Sequence, residues 1–121
     1  KKMKAIKITT NGNEREALCN MTRMFIATLE CSPTNVGYIN SVILKNWYKK
    51  LEEKMPYLQG EKAITISLEC MSIFIVCADA FCEQLPPFEY TMCSQLIEII
   101  HKAVQTDKTI MTNYRNKMQK Y

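Results

Sequence analysis

Residues 63–85, AITISLECMSIFIVCADAFCEQL, form the most apolar stretch of the chain and hold three of its six cysteines. From Ile64 to Cys70 apolar and polar side chains alternate, which is the period of a half-buried strand. At Met71 the alternation fails and the apolar residues run on. No glycine or proline interrupts the stretch, and about 22 residues is far longer than an ordinary strand. Length therefore assigns it to one helix. Projected at about 100° per residue, its apolar side chains cover about 220° of the circumference, while Thr65, Glu69, Ser72, Asp79 and Glu83 gather within about 80°. A helix so widely apolar is expected to touch several neighbours at once and to be the one against which the others pack.

The flanking sequence reads as further helices. Residues 1–12, KKMKAIKITTNG, are a basic lead-in with a short β-like run, AIKITT. A lone strand has no evident partner, so this segment is expected to be an extended N-terminal arm. A first helix follows over residues 14–30, with Asn13 as N-cap and Ala17, Leu18, Met21, Met24, Phe25 and Leu29 on its apolar face. Ser32 as cap with Pro33 in the first turn starts a second helix, which runs to about Met55 before Pro56. Val36, Ile39, Ile43, Trp47 and Leu51 project to one side of it, and Tyr38, Val42, Lys45 and Lys49 to the other. The 63–85 helix ends at Pro86-Pro87. A fourth then spans residues 88–105, with Glu98 and Lys102 as an i,i+4 pair on its solvent side. A fifth starts near Asp107 and carries a narrow stripe of Ile110, Met111, Tyr114, Met118 and Tyr121.

This pattern predicts an all-α protein of about five roughly antiparallel helices joined by short loops. It fits a compact bundle or a short HEAT- or armadillo-like array, with residues 1–12 as a basic arm and 13–121 as a single helical domain. Composition agrees. Of 121 residues, 47% are hydrophobic and 23% charged, with three glycines and four prolines. Those are values of a folded domain with few tight turns.

Charge is uneven behind a net +4. Residues 1–60 carry ten basic and five acidic groups, residues 61–100 one and six, and residues 101–121 five and one. The middle is negative and both ends are positive, without the continuous basic stripe of a nucleic-acid binder. Within residues 63–82, Glu69 and Asp79 would each cost on the order of 2.5–3.5 kcal/mol at a bilayer centre, so membrane insertion is not expected.

The six cysteines are Cys19, Cys31, Cys70, Cys77, Cys82 and Cys93. Four lie in apolar sequence, where a free thiol behaves as a small hydrophobe, so reduced thiols and an intracellular, cytoplasmic or nuclear location are expected. Their spacing is not that of a zinc site, and neither a metal nor a cofactor is expected. Cys93 and His101 lie about two turns apart on one helix, too far to pair as nucleophile and base. His101, the single histidine, therefore reads as a surface residue. Asn20-Met21-Thr22 matches a glycosylation acceptor, but it falls inside a helix rather than a loop.

Nothing here supplies a nucleophile, an acid–base pair or a cofactor site, so the chain is not expected to be an enzyme. Two partner-binding sets remain. The outer side of the second helix offers Tyr38, Val42, Lys45 and Lys49, in which tyrosine and lysine stems make an amphipathic surface. The acidic seam of Glu69, Asp79 and Glu83 offers contacts to basic groups. The abrupt start at Lys1-Lys2-Met3 suggests an excised piece. The expected function is that of a helical protein–protein interaction domain of a larger intracellular scaffold or regulator, receiving a peptide or another protein. In length and helix count the chain also resembles short-chain helical cytokines, which implies the alternative of a secreted, disulfide-bonded four-helix signalling protein. Size and helicity resemble insect odorant-binding proteins too, but the cysteine order does not fit theirs.

Overall fold

Ile64 and Ile66 alternate with Thr65 and Ser67 because this segment is a strand. In the computed structural model, which describes residues 4–55 and 60–106, β1 (Ala5–Thr10) and β2 (Lys62–Ser67) form an antiparallel two-stranded ribbon. Ala5 lies opposite Ser67, and Thr10 opposite Lys62. Ile8, Thr10, Ile64 and Ile66 face inward and are buried. Ala5, Lys7, Thr9, Ala63 and Thr65 face out. The expectation of one helix over residues 63–85 is thus corrected, and the run AIKITT is extended but not partnerless. Each strand supplies the other's missing hydrogen bonds. The pairing bridges more than 50 residues (Thr10 Oγ1 also donates to the Lys62 carbonyl, at 3.2 Å), and no local pattern reports such a contact.

Four helices account for most of the described residues: α1 (Gly12–Glu30), α2 (Asn35–Glu52), α3 (Leu68–Phe81) and α4 (Pro87–Thr106). The starts of α1, α2 and α4 sit one or two residues from the expected positions, and that of α3 five residues later than expected, because side-chain geometry selects the cap. Asn11, not Asn13, caps α1. Its Oδ1 accepts from the Glu14 amide at 2.8 Å, and the Glu14 carboxylate accepts from the Asn11 amide at 2.9 Å, completing a capping box. Thr34, not Ser32, caps α2 by accepting from the Gly37 amide at 3.0 Å. Ser67 ends β2 and caps α3 through the Cys70 amide at 3.3 Å, so one serine switches the backbone from strand to helix. α3 is therefore 14 residues long, about 21 Å. A short 3-10 turn over Cys82–Gln84 and the buried Leu85 lead to α4. The helix expected from Asp107 lies outside the described residues, as does most of the turn around Pro56.

α1 packs on α2 and on α4, and α3 packs on the same two. The broadest helix interface is that of α1 with α2, so α3 is one of four walls and not the hub expected of it. An aromatic cluster joins three of them. Phe74 of α3 meets Trp47 of α2 edge-on at 5.2 Å and lies 6.3 Å from Phe25 of α1. The Trp47 indole donates to the Thr65 carbonyl at 2.8 Å, and Lys54 Nζ donates to the Ala63 carbonyl. Both acceptors are on the outer edge of β2, so Trp47 of α2 and Lys54 just beyond that helix are bonded to this edge. Arg15 is fully buried. Its guanidinium donates to the Thr10 carbonyl at 2.7 Å and to the Gly60 carbonyl at 3.2 Å, tying the end of β1 to the approach to β2. The main chain is mostly helical, and none of the described helices is long and apolar enough to cross a membrane.

Candidate interaction surface

The side of α2 that turns inward is set by its smallest residues. A Cβ on Gly37 would sit 2.6 Å from the Cβ and Oγ of Ser32 and 3.2 Å from the Leu29 carbonyl. The start of α2 therefore approaches the end of α1 more closely than any side chain would allow. Ser41, one turn on, is also buried and donates to the Tyr38 carbonyl at 2.6 Å. Leu44, Trp47 and Leu51 complete the buried side. The helix is thus rotated by about a quarter turn from the orientation its apolar stripe predicts. Trp47 and Leu51 are buried as expected, Ile43 is half-buried, but Val36 and Ile39 are not in the core. They are 68% and 54% exposed.

Rotation merges two sets that the sequence kept apart. Tyr38 (67% exposed) and Val42 now lie beside Ile39 and Val36, making a continuous apolar strip along the first two turns of α2. Lys49 extends the strip in solvent. Lys45 is also on this side, but its ammonium is 2.6 Å from the Glu30 carboxylate of α1, where both groups remain half-exposed. Such a pair contributes at most about 1 kcal/mol and fixes the direction of the lysine more than the stability of the fold. The four residues expected as an outward set are brought together. Val36 and Ile39, read as core, belong with them, and the signal that marks them is the small pair Gly37 and Ser41 at i,i+4.

The three acids are not brought together. Glu69 occupies the first turn of α3, beside a shallow depression of about 410 Å³ that Ile43, Trp47 and Lys50 of α2 also line. Asp79 lies ten residues further along, about 15 Å in helical rise. It borders a cleft of about 530 Å³ between α3 and α4, together with Cys82, Cys93, Glu98 and His101. Glu83 is on the 3-10 turn and Thr65 is in the ribbon. The seam was the projection of one long helix, and it dissolves where the helix does.

The α3–α4 cleft places a half-buried thiol and a buried one near an exposed histidine. Burial, with Cys82 nearby, pushes the Cys93 thiol up to about 11. At neutral pH it is therefore protonated and a poor nucleophile. Among the described residues no group of three or more histidine, cysteine or acidic side chains is placed to hold a metal ion. Glu98 and Lys102 form the i,i+4 pair read from the sequence, at 3.2 Å. Burial raises the thiols of Cys19 and Cys77 to about 11 as well, while Cys31 is exposed at the end of α1. No family model, curated protein or solved structure matches the chain.

Proposed function

We propose that this is a non-enzymatic protein–protein interaction domain of a larger intracellular scaffold or regulatory protein, and that it binds through the outer face of α2. The observation that carries the reading is the apolar strip of Val36, Tyr38, Ile39 and Val42, left in solvent on a helix whose opposite side is fully packed. Contiguous apolar surface flanked by charge is the usual signature of a binding face, and tyrosine with lysine stems suits its rim. The partner is a short helical or extended segment. It places apolar side chains on Val36 and Ile39 and a carboxylate near Lys49.

The contact of α1 with α4, the first and last described helices, supports a closed bundle over an open array, because in an array each unit touches only its sequence neighbours. The thiols support the intracellular reading: four are buried, one is half-buried, and none is bridged.

A photo-crosslinking residue at position 39, with one at Gln95 of α4 as control, tests the surface in cells. Discrete adducts at 39 that vanish with Tyr38→Ala are expected. Equal labelling at both positions would remove the α2 face from consideration. Mass measurement after alkylation under denaturing, non-reducing conditions separates the two settings. Six free thiols fit the intracellular domain, and bridged pairs fit the secreted alternative.

A further inference from the structure

The two edges of the ribbon are not equivalent. In the antiparallel register the amide of Leu68 donates to the Lys4 carbonyl at 3.0 Å. Ile6, Ile8 and Thr10 are thereby the residues of β1 that exchange hydrogen bonds with β2, in step with Lys4 just before the strand. The amide and carbonyl groups of the intervening residues point away from the partner strand. On β2 the outward carbonyls of Ala63 and Thr65 are occupied, accepting from Lys54 and Trp47. On β1 they belong to Ala5, Lys7 and Thr9, all of them exposed. The one element packed extensively on β1 is β2. Among the described residues, no backbone or side-chain group is hydrogen-bonded to that outer edge.

We propose that the outer edge of β1 is a second binding site, which takes up an extended acidic segment of a partner protein as a third strand. Strand addition satisfies the outward amides and carbonyls of Ala5, Lys7 and Thr9. Charge selects the occupant. Within the six residues of each strand the ribbon carries Lys7 and Lys62 and no carboxylate. Lys7 is at the middle of the open edge.

A second copy of the chain is a poor occupant. Antiparallel self-pairing of β1 about its centre sets Lys7 against Lys7, and like charges directly opposite are destabilising. A glutamate or aspartate across from Lys7 reverses the sign. Residues on either side of that acid fall on the inward face, next to Ile6 and Ile8. Ile6 is only half-buried, so a β-branched apolar neighbour covers it. The matching segment is therefore acidic at its centre and β-branched at both flanks. This site is on the ribbon edge opposite the one bonded by Trp47 and Lys54, and it stands independently of the α2 face.

Two blocked hexapeptides serve as probes, Ile-Thr-Val-Glu-Val-Thr and Ile-Thr-Val-Lys-Val-Thr, each titrated into the isotope-labelled full chain and followed by backbone amide NMR. The acidic peptide is expected to shift and slow the exchange of the Lys7 and Thr9 amides, with affinity at least tenfold above that of the basic one. Lys7→Glu, a change at an exposed position, should reverse that order while leaving the urea midpoint unchanged. The unchanged midpoint separates lost recognition from lost folding. Absence of shifts in β1 with the acidic peptide, equal affinity for the two peptides, or a dimer whose protected amides are those of β1 would each overturn the proposal. Retained crosslinking at position 39 in Lys7→Glu would show that such a failure concerns this edge and leaves the α2 face intact.

Discussion

Gly37 decides how α2 is oriented, and it does so by what it lacks. With Ser32 Cβ 2.6 Å from where its own Cβ would be, Gly37→Ala must push the α1–α2 turn apart. We expect a loss of about 1–3 kcal/mol, the usual range for overpacking a close contact, measured as a lowered urea midpoint. Ser32→Gly in the same chain should recover part of that loss, since it removes both of the nearest atoms. A Gly37→Ala protein of unchanged stability would mean that the contact is not formed and that Val36 and Ile39 are free to turn inward. Arg15 is the other residue whose role only the folded chain reveals. In sequence it is a charge in the first turn of a helix. In the structure it is a buried donor holding carbonyls from two segments 50 residues apart. Hydrogen bonds to a charged group contribute about 1.5–3 kcal/mol each.

At the scale of elements, the ribbon and α3 share one continuous apolar stretch, and amide exchange distinguishes the alternatives directly. A helix over residues 63–67 would protect successive amides. The strand register protects those of Lys62, Ile64 and Ile66 and leaves those of Ala63 and Thr65 fast. We expect that alternation in hydrogen-exchange NMR, giving way to uniform protection from Met71 onward. Uniform protection beginning at Ile64 would return the segment to helix. The alternation was legible in the letters from Ile64 to Cys70. Length points instead to a single helix because the strand and the helix abut with no loop between them, and Ser67 is both the last residue of one and the cap of the other. Where polar punctuation exists, as at Ser32-Pro33 and Pro86-Pro87, the helix starts read from sequence fall within two residues of those observed, although α3 itself stops at Phe81 and gives way to the 3-10 turn. The second-helix error has a different origin. Val36, Ile39 and Ile43 make a proper i,i+3,i+7 apolar stripe, but periodicity reports a face and not which way it points. A neighbouring pair of small residues can outweigh it by permitting closer approach.

For the molecule as a whole, the buried thiols give a pH dependence with a definite sign. Cys19, Cys77 and Cys93 have folded-state values of about 11 against 9.0 in an unfolded chain. Burial is the first cause in each. The folded protein thus holds these protons more tightly than the unfolded one, and stability is complete below pH 9. It should fall as pH rises from about 9 to about 11, seen as a declining urea midpoint, and replacing Cys77 by alanine should flatten that decline. A flat profile in the unsubstituted chain over the same range would mean that the thiols are accessible to solvent. The same burial predicts that a water-soluble alkylating reagent at pH 8 modifies Cys31 first, Cys82 more slowly, and the other four on the timescale of unfolding.

The sequence by itself determined that the chain is mostly helical and where most helices start and stop. It also marked most of the apolar residues that feed the core, though not the outward turn of Val36 and Ile39, and the exposed set of Tyr38, Val42, Lys45 and Lys49. These are local matters of period, capping and turn residues, and each is written within a window of a few residues. Tertiary structure alone decided that AIKITT and KAITIS pair, that Arg15 is buried, that α2 turns Val36 and Ile39 outward, and that Glu69, Asp79 and Glu83 stand apart. Each depends on contacts between segments distant in the chain. A strand's hydrogen bonds and a helix's rotation are properties of the neighbour it meets, and that neighbour is not named in its own residues.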